Sequence, residues 1–137
     1  MARVLAIDFG RKRCGVAVTD PLQIAANSIP AVRTCDLLQF LKEYCSQEEV
    51  ERILMGYPKQ MDGSDSESMK YIKPFLGRLA KELPDIPIEM VDERFTSVIA
   101  HREMLAAGFK KSDRQRKGLA DEMSAVIILT TWLESPH

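Results

Sequence analysis

The chain has 137 residues, 45% of them hydrophobic and 28% charged, a size that buries one core without metal or disulfide staples. Its 19 Lys and Arg stand against 20 Asp and Glu for a net charge of −1, so any hold on a polyanion must come from local patches and not from the whole-molecule field. Cys14, Cys35 and Cys45 lack both CxxC spacing and a paired-His pattern, which argues against zinc and for reduced thiols, and no apolar run reaches the roughly 18 to 20 residues of a membrane span.

The first residues enter a strand-like run directly, without the basic region, apolar core and cleavage site of a leader, so the expected location is the cytoplasm. That run, Val4-Leu5-Ala6-Ile7-Asp8-Phe9, breaks at Gly10 and a basic turn, Arg11-Lys12-Arg13, before a second run from Gly15 to Thr19. A third, from Ile24 to Val32, contains Pro30, which suits a strand end or edge. The short connections predict a three-stranded antiparallel meander. Thr34 then reads as the N-cap of a helix carrying Leu37, Leu38, Leu41, Tyr44 and Cys45 at helical spacing. Ile53 to Gly56 reads as a buried strand and Gly56 to Ser64 as loop chemistry, ordinary strand-to-helix punctuation taken alone. Met69, Ile72, Leu76, Leu79, Ala80 and Leu83 form the next helical stripe, with Pro74 predicting a kink or a late start. A strand over Ile86 to Val91, a helix from about Ser97 to Ala107 and a last helix from about Leu119 to Glu134 complete the order.

Strands joined through helices imply parallel neighbours, so the expected sheet is mixed and five-stranded, with helices packed on both faces. This is the element order of the ribonuclease H-like α/β fold, in one domain over residues 1–137.

Three acidic sites stand at the edges of buried elements. Asp8 lies in a run apolar on both faces, where a carboxylate is costly without a partner; the bland reading is an Asp capping the following turn. Asp92 and Glu93 close the fifth strand, Ile86 to Val91, and since adjacent acids on an extended chain diverge, one faces a ligand and the other braces the loop with Arg94; Glu93 is the preferred ligand. Asp121 sits in the first turn of the last helix, where an acid also complements the helix dipole, but small Ser124 and Ala125 beside it favour an inward face. Hard oxygen donors without nearby His or Cys suit one or two Mg²⁺ or Mn²⁺ ions held by Asp8, Glu93 and Asp121. Basic residues surround these acids: Arg11, Lys12 and Arg13 after the first strand, and Lys110, Lys111, Arg114, Arg116 and Lys117 before Asp121. Most such runs are solvated loops, yet beside an acidic metal site they would funnel a phosphate backbone. His101 and His137 have no partner at ligand spacing and read as non-catalytic.

Asp8-Phe9-Gly10 with Arg13 and Gly15-Val16-Ala17, then Gly56-Tyr57-Pro58 with Asp62-Gly63, then Asp92-Glu93-Arg94-Phe95-Thr96-Ser97, then Lys117 with Asp121 and Ser124-Ala125, together resemble the YqgF family of pre-16S rRNA nucleases, also called RuvX. The resemblance covers essentially the whole chain. It implies a ribonuclease H-like fold related to the RuvC Holliday junction resolvases, a cytoplasmic bacterial protein maturing the 5' end of 16S rRNA, and catalytic roles for Asp8, Glu93 and Asp121. Ala6 departs from the Gly often found two before the first acid, and Tyr57 from a frequent Leu; neither removes a functional group.

The expectation is thus a metal-dependent endonuclease acting on structured RNA, with Arg11, Lys12, Arg13, Arg94, Lys110, Lys111, Arg114 and Lys117 as substrate contacts and ribosome-assembly factors as further partners. One rival changes the substrate to a branched DNA junction. Another keeps the acids for folding alone, in a non-catalytic RNA-binding or ribosome-assembly module. A third borrows the phosphate loop of actin-like ATPases, which require two such domains.

Overall fold

The computed structural model describes residues 2–57, 69–92 and 119–134. Their strands are β1 (Arg3–Asp8), β2 (Arg13–Thr19), β3 (Ala26–Arg33), β4 (Val50–Tyr57) and β5 (Ile88–Asp92), and their α-helices are α1 (Leu37–Gln47), α2 (Met69–Glu82) and α3 (Leu119–Glu134). The strands form one sheet in the order β3-β2-β1-β4-β5. β1, β2 and β3 pair antiparallel as a meander, while β4 and β5, reached through helices, run parallel to β1. This is the mixed five-stranded sheet anticipated above, covered on both faces. None of the described helices is long and apolar enough to cross a membrane.

Strand alternation divides the core in two. Leu5 and Ile7 of β1, Cys14, Val16 and Val18 of β2, and Ile53 and Met55 of β4 face α1 and α2, where Leu37, Leu41, Ile72, Phe75 and Leu79 are buried. Val4, Ala6, Ala17 and Leu54 face the other way, onto Ala125, Ile128 and Leu129 of α3. Fully burying one such aliphatic chain is worth roughly 1.5–3 kcal/mol, so the two apolar layers fix which side of the sheet every strand residue takes. Asp8, two residues beyond Ala6, therefore belongs to the α3 side. At the other end of β1, the buried Thr19 hydroxyl accepts the Val4 N–H at 2.9 Å, supplying a partner where the β1–β2 ladder ends.

Several local expectations are corrected. Thr34 does not cap α1: a 3₁₀ turn over Thr34–Asp36 intervenes, Asp36 stands at the N-cap, and the Thr34 hydroxyl instead donates to the Gly10 carbonyl at 2.6 Å. α2 does not wait for Pro74. Met69 is already helical, and the proline, on the exposed side, forfeits only the bond to the Lys70 carbonyl. β5 starts at Ile88 and not Ile86, because the Ile86 N–H turns back to the Leu83 carbonyl at 3.3 Å and Pro87 has no N–H to give. β4 is longer than its apolar heart Ile53–Gly56, and β3 begins at Ala26. Pro30 does fall on an edge strand, beside a register shift that gives β3 an extra residue between Ile29 and Val32. The helix expected over 97–107 lies outside the described residues, as does most of the loop expected over 56–64.

Candidate nucleic-acid and metal site

Asp8 is the last residue of β1, half-buried, with Gly15 of β2 opposite it on one side and Gly56 of β4 on the other. Neither cross-strand neighbour carries a side chain, so the two adjoining strands put no side chain directly beside this carboxylate. Directly opposed side chains elsewhere in a sheet would sit about 4.5–5.5 Å away and close that space. The strand therefore ends in a hard oxygen donor uncrowded by its two sheet neighbours, which suits a hydrated divalent cation bound by carboxylates. In that respect the residues present fit the expected metal.

The turn that follows is braced from three directions. A Cβ on Gly10 would meet the Arg13 carbonyl oxygen at 2.3 Å, so the chain closes on itself in a way only glycine permits. Gly10 also accepts the Thr34 hydroxyl, the Thr34 N–H donates to the Lys12 carbonyl at 2.9 Å, and the Phe9 ring packs on Phe75 of α2 at 5.3 Å between centroids. Pinning both ends of Gly10 to Arg13 fixes the cations relative to Asp8.

The carboxyl ends of β1, β4 and β5 lie side by side: Asp8 is in register with Gly56, and Tyr57 with Asp92. Asp121 occupies the first turn of α3, one turn ahead of buried Ala125 on the stripe that continues through Ile128, Leu129 and Trp132. At the far end of that stripe the Trp132 indole N–H donates to Glu89 of β5 at 3.1 Å, and Glu89 also pairs with Arg52 of β4 at 2.8 Å. Glu93, Arg94, Lys110, Lys111, Arg114 and Lys117 lie outside the described residues.

Arg11, Lys12 and Arg13 do not stand alone. With Arg33 and Cys35 they line an open pocket of about 470 Å³ between the β1–β2 turn and the end of β3. Arg33 was not among the residues singled out from the sequence. Its only signal is the meander register, which sets it directly opposite Arg13. The guanidinium of Arg11 lies over the Tyr71 ring of α2 at 4.6 Å, a contact that orients the cation without neutralising it. Of the three thiols, Cys14 is buried and burial pushes Cys45 above the ordinary thiol range, leaving Cys35 as the exposed one.

With this geometry in hand, the chain can be set beside known proteins. The family model described as "RuvX: Holliday junction resolvase" matches residues 2–135. A protein of Phocaeicola vulgatus named "Putative pre-16S rRNA nuclease" is 58% identical over 135 residues, covering 98% of this chain and 97% of its own. One of the same name from Porphyromonas gingivalis is 54% identical over 136 residues, covering 99% of each. Among solved structures, Thermus thermophilus RuvC in complex with a Holliday junction substrate superimposes with a TM-score of 0.60 at 15% identity, over 98% of this chain and 97% of that one. A second Thermus thermophilus RuvC structure gives 0.59 over 92% of each chain. At that identity the likeness establishes the ribonuclease H-like fold.

Proposed function

The chain belongs to the RuvX family, and on that premise we propose that it is a metal-dependent endonuclease that trims the 5' end of pre-16S rRNA. The observation that carries the reading is Asp8, an acid at the end of a buried strand with glycines on both flanks. Asp8, Glu93 and Asp121 would hold one or two Mg²⁺ or Mn²⁺ ions, which when bound supply activation of a water and stabilisation of the leaving oxygen in phosphodiester hydrolysis. The chain's own residues orient the backbone, exclude alternative poses and carry no covalent intermediate.

The direction of α3 supports the convergence of Asp8 and Asp121. Trp132 anchors its carboxyl end over Arg52 and Glu89, and Arg52 is in register with Val4 near the start of β1. The helix has 16 residues, about 24 Å, and packs on β1, β2 and β3 as well, so from that anchor it is long enough to reach the carboxyl end of β1. Asp121 is about 16 Å back from Trp132 along the helix axis, comparable with the roughly 13 Å of strand from Val4 to Asp8. Parity supports Glu93 over Asp92 as ligand: Val91 packs on the α3 layer, and alternation gives residue 93 the same parity as Val91.

A second reading keeps the chemistry and takes a branched DNA junction as substrate, favoured by the family description and by the RuvC likeness. Side-by-side cleavage of a pre-16S RNA leader and a four-way DNA junction separates the two. Asp8→Asn should abolish Mg²⁺-dependent cleavage with an unchanged circular dichroism spectrum; full cleavage by that variant would overturn the nuclease mechanism.

A further inference from the structure

We propose that the pocket formed by Arg11, Lys12, Arg13 and Arg33 is a phosphate subsite flanking the cleavage site, and that Arg33 is the residue that sets the path of the substrate backbone over β2 toward β3. The inference rests on the nucleic-acid reading above and deepens it.

Arg13 and Arg33 are direct partners in the antiparallel β2–β3 pair, a placement in which like charges are destabilising. Two more cations share the pocket, and among the described residues no carboxylate forms an ion pair with any of the four. Such an arrangement is costly unless an anion enters between the charges. The location says which anion. Cys14, Val16 and Val18 take the α1–α2 layer, so Arg13, like Gly15 and Ala17, takes the α3 side that Asp8 shares. Asp8 opposite Gly15 makes Arg13 its diagonal neighbour, roughly 7–8 Å away. A backbone phosphate held by Arg13 and Arg33 would therefore neighbour the one presented to Asp8. Tyr71 of α2 steadies Arg11 from outside the pocket by placing its ring 4.6 Å beneath the guanidinium.

Cys35 lies in the same pocket and reports on its occupancy. The test treats metal-free protein with iodoacetamide, a neutral reagent, alone, with inorganic phosphate, and with a single-stranded RNA, following each thiol by peptide mass spectrometry. Phosphate and RNA should slow alkylation of Cys35 several-fold and leave Cys45 unchanged. Arg33→Gln should lose the protection by phosphate and lower the log–log salt slope of RNA binding by about 0.7, while Arg33→Lys keeps the slope. Absence of protection in the wild type, or equal protection in Arg33→Gln, overturns the subsite even in a protein that cleaves RNA. Protection that vanishes with Arg33→Gln in a protein that cleaves nothing supports the subsite and overturns the nuclease reading instead.

Discussion

Replacing Trp132 by Phe keeps most of the ring and removes the indole N–H that Glu89 accepts at 3.1 Å. A hydrogen bond to a charged acceptor is worth about 1.5–3 kcal/mol when shielded. The Glu89 side chain is 43% exposed and keeps its 2.8 Å bridge to Arg52, so solvent screening brings the expected loss to about 1 kcal/mol. For a chain of this length that is a fall of about 3 to 5 °C in Tm. Trp132→Ala also strips the ring from α3 and its stacking beneath Arg52, whose guanidinium carbon sits 5.7 Å from the ring centroid. A fully buried Trp costs about 3–5 kcal/mol on truncation to Ala, and the half-buried Trp132 should come out near 3. Urea denaturation of both variants and of Glu89→Gln measures these terms, and the Trp132→Phe/Glu89→Gln cycle isolates a coupling of about 0.5–1 kcal/mol. Because the same helix carries Asp121, Trp132→Ala should lower cleavage at temperatures where it remains folded, whereas Trp132→Phe should not. Equal stability of Trp132→Phe and wild type, or full cleavage by a folded Trp132→Ala, would refute the idea that this latch holds α3 in place for the acid at its other end.

Glu93→Gln should abolish Mg²⁺-dependent cleavage without unfolding the protein, and Asp92→Asn should cost mainly stability or rate; the opposite ranking in a cleavage and melting series would reverse the assignment of the two acids. The combined change Lys110→Ala, Lys111→Ala and Arg114→Ala should weaken RNA binding alike across sequences and lower the salt slope by about 2, a little under one per lost phosphate contact, with an unchanged slope marking the run as a solvated linker.

Much of the architecture was legible because burial imposes period and parity. The apolar stripe of residues 119–134 was read with the same bounds the helix shows, and the meander followed from short connections between apolar runs. What escaped was decided by partners distant in sequence. Glu51 and Arg52 disguised the start of β4, since nothing local says that Arg52 will find Glu89 across the sheet. Thr34 resembled a cap until the β1–β2 turn offered its hydroxyl a better acceptor in Gly10. Arg33 illustrates the same limit at the site: its significance is a register relation with Arg13, displaced by the extra residue in β3, and register is invisible to a pattern read one strand at a time. By contrast, the placement of Asp8 at the end of a buried strand was readable at once, because an acid is costly inside an apolar run whatever lies opposite.

The irregularity of β3 has a further consequence, for the behaviour of the protein at high concentration. Among the described residues β3 is an edge of the sheet, and the row of backbone groups along an edge is the usual template on which a second chain adds itself and aggregation begins. Pro30 takes a donor out of that row, and the neighbouring register shift bends the strand away from the flat geometry another strand would need. Arg33 places a charge at its end. The same eight residues thus disfavour strand addition at this edge while presenting a cation to the pocket, so changes that straighten β3, such as Pro30→Val, should trade solubility for regularity.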